Sequence, residues 1–222
     1  MHKHLCAAAA LVGLASASLA SASLIDLGPD PIVVSGSIFR VTPQFGGPDF
    51  EGASAVDHWY VTVTTTGHYS FNVLSWEFDN GSNSVVDVNG DGEIAFIDSY
   101  LRLFRDDGDL TSDDQVARND DKFSHDGANS DGSIYGYDSY LSVLLDPGTY
   151  ILAIGAYHMS IDDAILGLDV DNNYYPVSYD EDLDDFVPSD HGDYEITMGL
   201  VPAPGGAALF GLASLALIRR RR

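Results

Sequence analysis

Cysteine is almost absent: the chain has one, Cys6, near its start. No disulfide can form within one copy of such a chain, so its fold must rest on a buried core or on bound metal. Positive charge is scarce as well. Ten Lys and Arg face 34 Asp and Glu. Five of the ten, Lys3 and Arg219 to Arg222, sit at the two ends, and all the acidic residues lie between them. The remainder carries 5 − 34 = −29 formal charges. A surface of that sign repels nucleic acid and anionic lipid and attracts divalent cations. Long apolar runs are also missing. The C-terminal run, Gly205 to Ile218, has fourteen residues and as a helix would reach roughly 21 Å, short of a bilayer core about 30 Å thick. No catalytic signature is present either: no H-E-x-x-H, no G-x-S-x-G. Carboxylates are too many for any pair of them to single out a glycosidase.

What is present starts at the ends. Lys3 and two histidines precede an apolar stretch from Leu5 to Leu19, and Ala20-Ser21-Ala22 offers small residues to a signal peptidase. The sequence thus predicts a leader over 1–22 cut after Ala22, with Ala20 and Ala22 as recognition positions, and a domain over 23–200. The last segment, 201–222, runs Val201-Pro202-Ala203-Pro204-Gly205, then the apolar run, then four arginines. It resembles the PEP-CTERM type of bacterial sorting signal. The resemblance implies export, transient anchoring by a transmembrane helix, and removal of the tail by an exosortase-like membrane protease acting at Val201, Pro202, Ala203 and Pro204. It places the protein at the cell surface or in the extracellular matrix.

Between the ends, apolar residues are plentiful enough for a core, at 45% of the whole chain, which is inconsistent with general disorder. The periodicity is that of strands. Trp59 to Thr64 and His68 to Val73 alternate about Gly67, with Tyr69, Phe71 and Val73 on one face; the pair predicts a hairpin. Ser35 to Thr42, Tyr100 to Phe104, Leu141 to Leu145, Tyr150 to Ile154 and Tyr194 to Met198 add further strands, with a turn at Asp146-Pro147-Gly148. No stretch keeps a helical period for three turns. The expected fold is all-β, a jelly-roll-like β-sandwich with acidic loops, flanked by the leader and a short hydrophobic C-terminal helix.

Asp98-Ser-Tyr-Leu101 recurs as Asp138-Ser-Tyr-Leu141. Together with Asn119-Asp120-Asp121 and Gly148-Thr149-Tyr150, these segments resemble the bacterial pre-peptidase C-terminal domain over residues 56–157. The resemblance implies a jelly-roll sandwich of the kind that accompanies secreted enzymes and is often associated with calcium.

The sharpest chemical motif is Asp87-Val-Asn89-Gly90-Asp91-Gly92-Glu93-Ile94-Ala-Phe-Ile-Asp98. Oxygen-bearing side chains fall at loop positions one, three and five, glycine at six, Glu93 at seven and Asp98 at twelve, a spacing that wraps one Ca2+. The loop resembles those of EF-hands and dockerin modules. The alternative is a glycine-rich turn that needs no metal. Asn119, Asp120, Asp121 and Asp138 form a weaker candidate for a second ion. Asp169, Asp171 and Asn173 share the one-three-five spacing but lack the glycine, and they and the run 180–185 suit a solvated loop. The five remaining histidines, His58, His68, His125, His158 and His191, are far apart in sequence and are expected to be structural. Tyr135, Tyr137, Tyr174 and Tyr175 could stack on sugars. The sequence therefore predicts an exported, non-enzymatic structural or adhesive protein stabilised by Ca2+. The alternatives are a carbohydrate-binding module whose partner is an extracellular polysaccharide, and a secreted hydrolase without a recognisable site.

Overall fold

Val61 and Val63 meet Tyr69, Phe71 and Val73 in the centre of the molecule, and the two groups belong to opposite sheets. The computed structural model describes residues 24–41, 53–76, 87–121, 136–170, 176–180, 182–183 and 185–202. The leader with Ala20 and Ala22, and the tail from Ala203 onward with Pro204, lie outside the described residues. Among the described residues no helix is long and apolar enough to cross a membrane.

The elements in chain order are β1 (Ile25–Leu27), β2 (Ile32–Val41), β3 (Ala53–Ala55), β4 (Asp57–Val63), β5 (Gly67–Leu74), β6 (Ser99–Arg105), β7 (Gln115–Asn119), β8 (Tyr140–Leu145) and β9 (Gly148–Ala156). They continue with α1 (Ile161–Leu166), β10 (Leu168–Asp169), β11 (Val177–Asp180), β12 (Asp185–Pro188) and β13 (His191–Leu200). One sheet has the order β1-β4-β9-β6-β7, the other β10-β3-β2-β13-β5-β8, and β11 pairs with β12 apart from both. Four antiparallel pairs organise the two large sheets: β2 with β13, β4 with β9, β5 with β8 and β6 with β7. Pairs β2·β13 and β5·β8 lie in one sheet, β4·β9 and β6·β7 in the other. This is a long double-stranded ribbon folded across a sandwich, the connectivity of a jelly roll. The all-β sandwich expected from the strand periodicity is the fold observed.

The hairpin expected from Trp59 to Val73 does not form. β4 lies against β9 and β1, whereas β5 lies against β13 and β8. Residues 64–66 therefore carry the chain from one sheet to the other. The reason is burial. A hairpin would leave the apolar sides of β4 and β5 side by side on one sheet, needing a cover. The crossing sets them face to face, and both become the core. The segment around Asp146-Pro147-Gly148 does the same between β8 and β9.

Strand β6 is buried along both faces. Leu101 and Leu103 point into the space between the sheets. Tyr100 and Phe104 point outward, to a second cluster with Ile151, Ala153, Met159 and Ala164. That cluster is covered by α1, which starts at Ser160, whose Oγ accepts from Asp163 N, and ends at Gly167 with φ +76°. Arg102 shares the outer face of β6. Its Nε and Nη2 donate to Met159 O at 3.1 and 2.9 Å, and its Nη1 donates to Gln115. The buried guanidinium thus fixes the loop that leads into α1.

Candidate metal centres

Residues 87–93 form a turn held by its own side chains. Asp87 accepts from Gly90 N at 2.6 Å through Oδ1 and from Gly92 N at 2.9 Å through Oδ2. Asn89 Oδ1 accepts from Asp91 N at 3.0 Å, and Asp91 Oδ1 from Glu93 N at 2.9 Å. The turn needs left-handed backbone at Gly90 and Gly92, whose φ angles are +78° and +94°; glycine adopts these without strain. The polar side chains at positions one, three and five thus bind the loop's own backbone.

Asp98 does not close this loop, contrary to its expected place at position twelve. An EF-hand turns into a helix after position nine. Here the chain runs extended: Phe96 bridges Val177, and Ala95 O accepts from Asp193 N at 2.9 Å. Ala95, Phe96 and Ile97 are buried, so the segment is committed to the core. Five extended residues advance roughly 16 Å, twice the helical rise. Asp98 is carried to another group of carboxylates.

In its place, strand β13 comes beside the loop. His191 and Asp193 are two residues apart on a strand and so share a face. Asp193 Oδ1 accepts from Ser37 Oγ and from Asn89 Nδ2, each at 2.7 Å. Asn89 Nδ2 lies 3.1 Å from Asp91 Oδ2 as well. One ligand atom each from Asp91, His191 and Asp193 falls within 4.8 Å of the others. His191 Nε2 is 3.4 Å from Glu93 Oε2 and 3.7 Å from Asp193 Oδ2. Burial would lower the His191 pKa, but the bond to Asp190 and the charges of Asp193, Asp190 and Glu93 outweigh it and hold the pKa above its ordinary value. Burial, aided by the Asp91 and Asp87 charges, holds Asp193 above the usual carboxylate range, against Ser37 and His191.

Gly192 sets this apposition. A Cβ there would overlap Ile97 Cγ2 and lie 2.7 Å from Phe96 O. Only glycine lets β13 press on residues 96–97 so closely, and the contact holds His191 and Asp193 at the loop.

A second group forms around Asp98. Asp98 and Asp138 precede β6 and β8 in opposite sheets. The repeated Asp-Ser-Tyr-Leu thus has a spatial counterpart: Ser139 N donates to Ser99 Oγ at 2.9 Å, and Ser139 Oγ to Ser99 O at 2.6 Å. Asp138 is fully buried, and its Oδ1 accepts from Ser75 N, Trp76 N and Ser75 Oγ at 2.8 to 3.0 Å. Asn119 Oδ1 accepts from Asp121 N at 2.6 Å, which shapes the acidic turn after β7. Burial and the charges of Asp121, Asp120 and Asp138 push the Asp98 carboxyl up to about 7. Burial, then the Asp120 charge, raises Asp121. Asp98 Oδ1 is buried and accepts no hydrogen bond among the described residues. The charges of Asp120, Asp121 and Asp138 thus oppose that of Asp98, and a cation would relieve that repulsion.

The other candidates are dispersed. Asp169 is buried on β10, while Asp171 and Asn173 lie outside the described residues. Of the tyrosines, Tyr137 meets Trp76 edge-on at 5.3 Å, and Tyr135, Tyr174 and Tyr175 lie outside, as does His125. His58 Nε2 is bonded to Ala164 O at 2.6 Å, a structural role. His191 is the residue that sequence spacing does not single out. Its one local signal is the His-Gly-Asp alternation at the head of a strand.

No family model and no curated protein matches the chain. Solved structures do. The pre-peptidase C-terminal domain of a collagenase from Bacillus anthracis is 13% identical, with a TM-score of 0.36, and the match covers 79% of this chain and 94% of that one. A protein from Sulfurospirillum deleyianum is 12% identical, with a TM-score of 0.29, over 78% of this chain and 99% of that one.

Proposed function

We propose that the chain is an exported, non-enzymatic β-sandwich protein of the cell surface or extracellular matrix, structural or adhesive in role, and stabilised by Ca2+ held at the Asp98 group. The observation that carries the calcium part is a buried Asp98 oxygen that accepts no hydrogen bond among the described residues, on a carboxyl opposed by the charges of Asp121, Asp120 and Asp138. An all-oxygen set of this kind suits a hard cation of flexible coordination. The surface role rests on the leader-like start, the sorting-signal-like tail with Val201 to Pro204 at its head, and the strongly acidic domain between them.

Two measurements test it. Thermal unfolding of the purified protein in excess chelator and in Ca2+ reads the ion. At about 100 times the dissociation constant, binding adds roughly 2.7 kcal/mol, so a clear upward shift in Tm is expected, and an unchanged Tm removes calcium from the proposal. Intact mass of the protein from surface and medium fractions of its own host reads the address. A species starting at Ser23 and ending between Val201 and Gly205 is expected. A species that keeps Arg219 to Arg222 only in the membrane fraction makes the tail a permanent anchor and overturns the sorting.

A further inference from the structure

We propose that Asp91, His191 and Asp193, with Glu93 as a fourth ligand, form a site for a first-row divalent transition ion of the Zn2+ type, distinct in residues and in chemistry from the Asp98 group. Three observations carry it. Asp193 is 1% exposed, and its Oδ2 is buried without a hydrogen-bond partner among the described residues. His191 is 6% exposed, and its Nε2 is likewise buried without one. Both atoms face each other and the loop, at 3.7 Å from one another and with Nε2 3.4 Å from Glu93 Oε2. Two buried polar atoms left open at one point are costly unless something fills the gap between them.

The identity of the ion follows from the donor set. Ca2+ takes six to eight oxygens. A buried imidazole nitrogen at the centre of the site favours Zn2+ and its neighbours. The separations fit as well: ligands held at about 2.0–2.1 Å in a tetrahedron are roughly 3.3–3.4 Å apart. The imidazole is also oriented from behind. His191 Nδ1 is 2.7 Å from Asp190 Oδ1, and an ionised carboxylate only accepts, so Nδ1 carries the hydrogen. That leaves the Nε2 lone pair for a metal, in the carboxylate–histidine–metal arrangement of zinc sites. The two halves of the site are held by different means. The loop is fixed by its own backbone bonds to Asp87, Asn89 and Asp91. The β13 half is fixed by the Ser37 bond to Asp193 and by the packing of Gly192. An ion would tie the loop to the strand.

The test is calorimetric titration of the purified, metal-free full-length chain with ZnCl2, in buffer without Ca2+ and in buffer with 1 mM Ca2+. One Zn2+ per chain is expected to bind at the same affinity in both. CoCl2 is expected to give visible absorption bands of mixed nitrogen and oxygen ligation. His191→Ala should lose this Zn2+ and the cobalt bands while keeping the upward Tm shift in Ca2+. Asp190→Asn should weaken Zn2+ by about 10- to 100-fold. If Ca2+ at 1 mM displaces Zn2+ from the wild-type chain, the site is a calcium site and the proposal is overturned. If His191→Ala, or His191→Gln where the alanine variant does not fold, binds Zn2+ within threefold of wild type, the proposal is overturned too. Loss of the Ca2+ shift in the wild-type chain would instead defeat the Asp98 reading and leave this one standing.

Discussion

The Tyr194 hydroxyl, on β13, donates to Asp57 Oδ2, on β4, at 2.6 Å. The two strands belong to opposite sheets, so a polar bond ties the sandwich through its interior. Trp59 Nε1 donates to the same hydroxyl at 3.0 Å. The ring passes over Gly36, its register partner on β2, where a Cβ would lie 2.5 Å from Oη. Tyr194→Phe removes the hydroxyl and leaves the Trp59 N–H and the Asp57 carboxyl without it. The expected loss is about 1–3 kcal/mol, a fall in Tm of roughly 3–10 °C for a domain of this size. Urea and thermal unfolding check it, and a loss below about 0.5 kcal/mol would show that the tie contributes nothing.

The same bond predicts a pH dependence. Burial raises the Asp57 pKa above its ordinary 3.8, against the opposing effects of the Tyr194 bond and the His58 charge. The folded state therefore holds its proton at pH values where the unfolded chain has lost it. Stability from this group is fullest below the unfolded value and declines as pH rises through the folded one. Asp57→Asn keeps an acceptor for Tyr194 without the charge. Its stability relative to wild type should rise between pH 4 and pH 7, measured by urea unfolding at each pH. A difference that falls with pH would reverse the assignment.

For Asp98, charge reversal of effect is the expected signature. The carboxyl stands among Asp121, Asp120 and Asp138. In chelator, Asp98→Asn removes one of four mutually repelling charges and should leave the protein as stable as wild type or more so. In Ca2+ it should forfeit most of the calcium-dependent rise in Tm, since binding free energy enters stability directly. A variant equally destabilised in both buffers would mean that Asp98 has a packing role alone.

Much of this architecture was legible in the sequence, and the reasons for the rest are specific. The face carrying Tyr69, Phe71 and Val73 could be read because a strand repeats every two residues. Which sheet it joins could not, because residues 64–66 can connect a hairpin or cross between sheets. The turn over 87–93 announced itself through two glycines at positions of positive φ. The departure of Asp98 did not, because it depends on residues 95–97 being claimed by the core. His191 and Asp193 lie about a hundred residues from the loop they meet. Residues brought together from such distant parts of the chain leave no spacing to find; the Asn89 bond to Asp193 and the His191 contact with Glu93 join them in the fold.

Gly192 is where these separate features depend on one residue. Its Cα faces the Phe96 carbonyl and the Ile97 side chain, and a methyl group would overlap Ile97 Cγ2. Neither neighbour can yield easily: Ile97 is 1% exposed, and Phe96 is held by paired backbone bonds to Val177 at 2.6 and 3.0 Å. Gly192→Ala should therefore destabilise the fold by about 1–3 kcal/mol, the cost of overpacking a filled core. The strain should be relieved by moving β13 away from residues 95–97. That would stretch the Asp193 N to Ala95 O bond, now 2.9 Å. Hydrogen exchange reads this directly: the Asp193 amide should lose protection in the variant by more than the global loss of stability explains. If its protection falls only in step with amides in the middle of β9, the contact at Gly192 is ordinary packing and does not hold the strand in place.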